Sequence, residues 1–595
     1  MHQDIDFQFA AFFPDEKIRP FAYLLSQQLR EGHICLPIDS NTDIKTPFGS
    51  ANFHLLNQVS DKFLSSSDAY TPFVFYDGNL YLQRYFKYES TIVALLKKKI
   101  ENSTIKKNEY RKSIEQFIEL VKSQTADYAL DGLEEDEKID WQLIAVLRTL
   151  QNDFSIITGG PGTGKTTTLS KLLLILFTIN PGARVALAAP TGKASMRMME
   201  SLKEKSANFP AEILRMIHEL QSFTLHRMLG YQANSIYFKH NSDNPLPYDW
   251  IIVDEASMID LPMFAKLLEA CKPSARLLFL GDKDQLASVE AGSLLGDLCI
   301  AAGNLNRFSK QDNDWLNTFI SSLERRIPAN YSIENALPFS ESISALRFSH
   351  RFSEQGDIGQ LSLAIIQGQD EKALALLNSY KAEQISMIDQ NSNSEMIGFV
   401  SSYILYMEEQ NIEEALSKIN KIRVLVTVRE GECGLYAINK KIEKILHSVR
   451  PDLIQPNSTF YHNRPVMITK NNYDLGLFNG DIGIVRRDAD TQKLKVYFEA
   501  VEKGMSPRVF STASISDCET VFAMTIHKSQ GSEFEKVMVV LPNQSDNPVL
   551  TRELLYTGVT RAKKSAVIMG SEEVFRAGIN RQVVRFSGLH QRLTN

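Results

Sequence analysis

Three short stretches of this chain carry side chains that could act on a phosphate. The first is GGPGTGKTTT, Gly159 to Thr168. It fits G-x-x-x-x-G-K-[ST], a loop whose backbone N–H groups wrap a phosphate chain. Lys165 would neutralise the β- and γ-phosphates, and Thr166 would hold Mg²⁺. Gly159, Gly160, Pro161, Gly162, Thr163, Gly164 and Thr167 complete the cradle. The second stretch is WIIVDEAS, an apolar run ending at Asp254 and Glu255. Asp254 suits a second Mg²⁺ anchor, and Glu255 suits polarising an attacking water. Adjacent carboxylates can also simply cap a helix, so this pair gains its meaning beside the loop. The third is LFLGDKDQLASV, which places Gln285 where a side chain could sense a γ-phosphate.

A fourth stretch, TVFAMTIHKSQGSEF (Thr520 to Phe534), raises a different possibility. His527, Lys528 and Ser529 are close enough to suggest a nucleophilic site. No G-x-S-x-G elbow accompanies them, and no acidic partner is near in sequence. A coupling segment fits better. Thr525, His527, Lys528 and Ser529 suit a nucleic-acid backbone, and Gly531 and Glu533 suit the nucleotide. In LAAPTGKAS, Pro190, Thr191 and Lys193 follow another strand, where hydroxyl and ammonium groups suit phosphate contacts.

Chemistry of this kind needs strands that end at one edge. From Asp140 onward apolar strand-like runs alternate with helical patterns, as in an α/β domain with a parallel sheet. SIIT, RVALAAP, WIIVDEA and ARLLFLGD are such runs, and RVLVTVRE (423–430) opens a second set. The loop Gly159–Thr168 lies between SIIT and the helical LSKLLLILF, the setting the motif requires. Between about 450 and 520, RPVMITK, DIGIVRR, LKVYFEA and RVFSTAS are short strands with an Asn479-Gly480 turn, which predicts a small inserted β-barrel. FVFYDGNLYLQRY predicts a hairpin at Asp77-Gly78, with a lysine-rich helix after it. The acidic LDGLEEDEKID predicts a solvated linker.

At 595 residues the chain is expected to form three or four domains. Its hydrophobic content of 43% and charged content of 23% are those of a soluble globular protein. A net charge of −6 confines any nucleic-acid surface to a local stripe. The start MHQDIDFQFA lacks the features of a signal peptide, and no apolar run approaches membrane-spanning length. Five scattered cysteines show no metal-ligand spacing. A reducing cytoplasm is the expected location.

GGPGTGKTTT, LAAPTGKA, FTLHRMLG, WIIVDEASMIDLP, LGDKDQLASVEAGSLLGDLC, HRF, TIHKSQGSEF and YTGVTRAKK occur in this order. Together they resemble the motif set of superfamily-one DNA helicases. YHNRPVMITKNNYDLGLFNGDIGIV, PVLTRELLYTGVTRAKK and the terminal RFSGL are similar, more narrowly, to the RecD family, the alpha subunits of exodeoxyribonuclease V. The likeness spans about residues 15 to 595 and is weakest before 130.

The resemblance implies two RecA-like P-loop motor domains, at 140–340 and 341–595. It also implies an SH3-like barrel inserted at 450–520. A small N-terminal α+β domain, 1–115, is expected to dock onto a partner, with a linker at 116–139. A strand-separating hairpin is expected near 231–247. Gln142 matches the family's adenine-recognising glutamine, and Arg351 and Arg561 match arginines that reach the γ-phosphate from the second motor domain. His350 departs from the tyrosine expected beside Arg351. Thr224 and His226 fall at DNA-binding positions, and Asn471, Asn472 and Tyr473 of the barrel are placed to touch single-stranded DNA.

The expected protein is thus an ATP- and Mg²⁺-dependent translocase on single-stranded DNA that opens duplex ends. The resemblance implies 5′→3′ movement and assembly with RecB-like and RecC-like subunits. It also implies nuclease activity only in that assembly. A stand-alone RecD-like helicase is the alternative, and helix-hairpin-helix segments, not seen before the motor, would mark it. A non-motor regulatory subunit fits poorly with intact Lys165, Asp254, Glu255, Gln285, Arg351 and Arg561. An RNA helicase is not excluded by the motifs themselves.

Overall fold

The structure is a computed structural model. It describes residues 4–594 apart from 68–69, 126–128, 131–132, 233–234, 236, 289, 335–338, 350–355, 380–381, 391, 473, 490 and 501–504. Two parallel sheets organise it. The first has six strands in the order Ile343–Ala345, Phe154–Thr158, Arg276–Gly281, Trp250–Val253, Val185–Ala189, Gln221–Thr224. The second has five, in the order Ile385–Ile388, Ala562–Met569, Phe534–Val540, Ile422–Val426, Ala523–Thr525. Every residue of Phe154–Thr158, Val185–Ala189 and Ile422–Val426 is buried. Strands covered on both faces must be apolar throughout, which is why they read as continuous runs in the sequence.

A five-stranded antiparallel sheet is inserted in the second body. Its order is Arg508–Ser511, Leu494–Phe498, Ile482–Arg487, Pro465–Ile468, Cys518–Thr520. Asn479-Gly480 does form a turn, with Asp481 N donating to Phe478 O at 3.0 Å. That turn lies inside the longer excursion between two strands and does not join them directly. The N-terminal region carries its own small sheet. There the expected hairpin pairs Tyr76 with Asn79, and Asp77 and Gly78 both have positive φ (48° and 75°). Two left-handed residues are what a tight hairpin turn of matching twist demands.

One helix, Gln83–Glu115, runs 33 residues from this sheet along the first body. Its buried residues Phe86, Glu89, Ile92, Leu96, Lys99 and Ser103 fall three or four apart, one face of a helix. Several polar groups of this helix are answered from the first body. Lys99 Nζ donates to Ala275 O at 2.5 Å. Arg111 pairs with Asp312 and donates to Gln151 Oε1 at 2.9 Å. Lys107 bridges Asp312 and Glu341 at 2.9 and 2.7 Å. The segment expected to serve a partner is therefore half committed to its own chain.

Four further expectations change. The boundary at 340/341 moves, because Ile343–Ala345 pairs with Phe154–Thr158 and Leu346 N donates to Thr158 O. The linker 116–139 is not simply solvated: Val121 and Ile139 are buried in the core under the first sheet, and Trp141 joins them. The hairpin near 231–247 has no strand among its described residues. It is a loop closed at its base, with Lys239 N on Gly230 O at 2.9 Å and His240 N on Leu229 O at 3.0 Å. Finally, the C-terminal residues leave the second body. Ile34 N donates to Phe586 O, and Gly588 N to Glu89 Oε1. Leu589 and Leu593 are buried in the core of the first body. Among the described residues no helix is long and apolar enough to cross a membrane.

Candidate nucleotide and DNA site

Strand Phe154–Thr158 ends at the phosphate-binding loop, and helix Lys165–Ile179 begins at its far side. Gly162 and Gly164 take φ of 80° and 87°, which lets the loop curl back over the helix N-terminus. A Cβ on Gly164 would lie 2.2 Å from Gln142 Nε2, so glycine is required there. Gln142 is buried, and its amide donates to Thr163 O at 3.3 Å. Lys165 Nζ donates to Gly159 O and Gly160 O at 2.6 and 3.2 Å. A helix N-terminus with an ammonium over it is a prepared anion site.

Asp254 and Glu255 leave the end of Trp250–Val253, two strands from the loop. Burial first, and then the Glu255 carboxylate, push Asp254 up to about 6, while Lys165 works the other way. A buried carboxylate of this kind is short of positive charge, as expected of a cation ligand. Glu255 has φ 54°, unusual for a residue with a Cβ, and its N–H donates to Asp254 Oδ1 at 2.8 Å. Strained backbone of this sort gathers at functional sites. Gln285 is buried, with Nε2 on Asp282 Oδ2 at 2.9 Å.

These groups line one cavity of about 2090 Å³, and the second body supplies its other wall. Gln142, Lys165, Thr166, Asp254, Glu255 and Gln285 come from the first, Gly531, Glu533 and Arg561 from the second. Gly531 has φ 69°, and a Cβ there would lie 3.7 Å from Glu255 Oε1. Glu533 pairs with Lys563 at 3.1 Å. Arg561 is buried, and it donates to Thr557 O and Ser532 O at 3.1 and 3.2 Å. Arg351, with His350, lies outside the described residues. Ser349, just before them, donates to Pro161 O at 3.1 Å and so carries the chain to the loop.

Thr191 caps helix Gly192–Lys205, accepting from Ala194 N at 3.2 Å. Pro190 precedes it at the end of Val185–Ala189. Lys193 on that helix is pushed down to about 7, first by burial and then by Arg197 and Arg423. Thr224 caps the next helix through Arg227 N, and His226 is exposed against the Phe238 ring at 5.8 Å. Asn471 lines the cavity, with Oδ1 accepting from Asn479 N at 2.9 Å. Tyr473 lies outside the described residues. His527 is half-buried, and burial lowers its pKa. Lys528 is engaged within its own body, at 2.7 Å from Glu519. Thr525 is buried and accepts from Lys528 N at 3.3 Å. Ser529 is corrected outright: it is 0% exposed and donates to Ile526 O at 2.7 Å, so it closes the turn and cannot touch a ligand.

Known proteins give the family. Residues 142–291 match the model of an AAA domain, 438–498 that of the ATP-dependent RecD-like DNA helicase SH3 domain, and 520–569 that of the UvrD-like helicase C-terminal domain. The RecBCD enzyme subunit RecD of Haemophilus influenzae is 35% identical over 554 residues, 87% of this chain and 80% of that one. This chain belongs to the RecD family of DNA helicases. The RecD subunit of Mycolicibacterium smegmatis is 36% identical, over 76% of this chain and 74% of its own. The ATP-dependent RecD2 DNA helicase of Deinococcus radiodurans is 27% identical over 72% of this chain and 48% of its own. A Bacteroides Pif1 helicase solved with ADP-AlF3 and ssDNA overlaps it only loosely, at 17% identity and a TM-score of 0.36, over 75% of this chain and 94% of that one.

In this RecD-family chain the sequence alone does not assign several residues in and beside the cavity. Arg197 is one helical turn from Lys193, and its guanidinium donates to Gly531 O across the cavity. The i,i+4 spacing was the available signal. Arg227 lines the cavity next to His226. Asp282 and Tyr556 meet across the two bodies at 3.0 Å. Tyr556 stands first in YTGVTRAKK, yet an aromatic side chain on a helix reads as core, so its type alone gives it no role.

Proposed function

We propose that this chain is an ATP-driven translocase on single-stranded DNA that unwinds duplex ends, moving 5′→3′. In this reading it is the motor subunit of a RecBCD-type exodeoxyribonuclease V, with RecB-like and RecC-like partners, in cytoplasmic double-strand-break repair and homologous recombination. The observation that carries the reading is the shared cavity. Phosphate-loop and carboxylate groups stand on one wall and Arg561 on the other, so a nucleotide bound there would hold both bodies.

The residues fit a magnesium nucleotide. The loop offers backbone donors and the Lys165 ammonium, and Thr166 and Asp254 offer two oxygen ligands on the same cavity. A bound Mg²⁺ would supply charge neutralisation on the β- and γ-phosphates. Lys165 would exchange its loop carbonyls for phosphate oxygens, and Glu255 would orient the attacking water. Arg561, with Arg351, would stabilise charge on the transferring phosphoryl group. Gln142, against the loop, would read the adenine. Lys193, Thr191, His226 and His527 would carry DNA phosphates beyond the cavity.

Nuclease activity enters only by assembly in this proposal, and the N-terminal region supplies the docking face. Its first helix and the residue after it leave Ile5 and Phe12 exposed at 65% and 83%. Exposed apolar residues of this size are suited to a protein partner. The test is unwinding of duplexes bearing a 5′ or a 3′ single-stranded tail, by the chain alone and with partner subunits. ATP-dependent opening of the 5′-tailed substrate supports the reading. Metal-dependent cleavage by the chain alone would refute the assembly half.

A further inference from the structure

Beside the phosphate loop one side chain touches both bodies. Tyr556 lies on the helix Arg552–Val559 of the second body and is buried. Its hydroxyl donates to Asp282 Oδ2 of the first body at 3.0 Å. That hydroxyl also comes within 3.0 Å of where a Cβ on Gly160 would stand, so it reaches the phosphate loop. Burial, and then the Asp282 and Asp284 carboxylates, push its phenol well above the ordinary value, which keeps it a donor.

Asp282 is filled by donors. Its Oδ1 accepts from Asp284 N at 3.1 Å, and its Oδ2 accepts from Gln285 Nε2 at 2.9 Å as well as from Tyr556. A carboxylate has only acceptors to offer, so Gln285 must turn its NH₂ toward Asp282. Its Oε1 is then the free end. That atom is buried and has no hydrogen-bond partner among the described residues. A buried amide oxygen left unpaired is costly, and it favours whatever ligand brings a donor.

Two more bonds cross beside this one. Leu286 N donates to Thr557 Oγ1, and Gln530 Nε2 donates to Leu286 O, both at 3.0 Å. Arg561 Nε in turn donates to Thr557 O at 3.1 Å. The arginine of the second body and the glutamine of the first are thus joined through one short seam.

We propose that Tyr556 is a positioning residue for ATP hydrolysis: through Asp282 it fixes the Gln285 amide so that Oε1 accepts a hydrogen bond from the attacking water. Because Tyr556 rides on the second body, Gln285 takes this pose only when the two bodies are seated together. Hydrolysis is thereby tied to closure. The inference rests on the ATPase reading above.

The test is steady-state ATP hydrolysis by the full chain with single-stranded DNA, for wild type, Tyr556→Phe, Asp282→Asn and the double variant, with thermal unfolding alongside. Tyr556→Phe keeps the ring and removes the hydroxyl, with its bond to Asp282 and its approach to Gly160. Its kcat is expected to fall about tenfold, the scale of a lost hydrogen bond to a charged group, with KM for ATP and the unfolding temperature unchanged. The double variant is expected to be no slower than Asp282→Asn alone, because the two act in one chain. Wild-type kcat in Tyr556→Phe, or losses that multiply in the double variant, would overturn the inference. A fall in unfolding temperature with no change in kcat would reduce Tyr556 to packing. A wild-type chain without ATP turnover would overturn the ATPase reading itself, an outcome distinct from the others.

Discussion

The two parallel sheets flank one cavity, yet they are held in the molecule very differently. The first is wrapped by both ends of the chain. The helix Gln83–Glu115 is sutured along it, and the C-terminal helix Leu589–Thr594 buries Leu589 and Leu593 in its core. The second shares its core chiefly with the inserted antiparallel sheet, through Met467 and Ile482. It meets the first through polar contacts, Tyr556 with Asp282, Thr557 and Gln530 with Leu286, and Arg197 with Gly531, and through the Leu286 side chain, which is buried in its core. Polar contacts of this kind are individually modest, and buried apolar cores are not. In the proposed motor the first body would be the platform and the second the moving part, with the joint at the phosphates.

The sharpest way to break that division is to remove one charged group from each wall. Lys165→Ala takes the counter-charge from the platform side and is expected to abolish ATP turnover while the fold survives. Turnover near the wild-type rate would show that the site is misplaced. Arg561→Ala removes the arginine from the moving side. Its kcat should drop by about 10³-fold with nucleotide affinity little changed, as arginine fingers behave. Lost binding with normal turnover at saturating ATP would contradict its role.

Stability should respond in the opposite place. Arg111 and Asp312 are both nearly buried in the suture. Burial alone would raise Asp312, but Glu341, Lys107 and Arg111 together hold it below the usual carboxylate range. Arg111→Ala is expected to destabilise the first body by about 3 kcal/mol, since it strips one partner from a buried ion pair. Chemical denaturation reads this, and kcat of the folded fraction should be unaltered. A large kcat loss without destabilisation would mean the helix takes part in the chemistry.

The smallest expected effect concerns the C-terminal strap. Asp297 faces Ser587, Glu89 and Arg585, and burial raises it to about 7. Unfolded, it titrates near the ordinary value of about 3.9. Between those values the folded state holds the proton that the unfolded state has lost, so stability falls as pH rises through this window. Asp297→Asn removes that dependence. The variant should gain more at pH 8 than at pH 5, narrowing the gap between its two unfolding temperatures. An unchanged gap would remove Asp297 from the account.

The parts of this arrangement that could be read from sequence are local ones. Gly159–Thr168 and Asp254-Glu255 announce themselves because loop, strand and helix are neighbours in the chain. The Asp77-Gly78 turn is equally self-contained. What escaped depends on distance or burial. Ile343–Ala345 is too short to show an apolar run, so the first sheet seemed to end early. The clasp between Glu89 and Gly588 joins residues about 500 apart. Ser529 has the right hydroxyl for a phosphate, and residue type does not reveal that it is buried. Tyr556 lies in the quoted YTGVTRAKK, but its role there depends on Asp282, which comes from the other body.

ATP hydrolysis by the purified full chain, with and without single-stranded DNA, tests the central claim most directly. The two-body account predicts low turnover without DNA, strong stimulation by it, and no turnover in Lys165→Ala under either condition. Hydrolysis that ignores DNA, or that persists in Lys165→Ala, would contradict a motor built on this cavity.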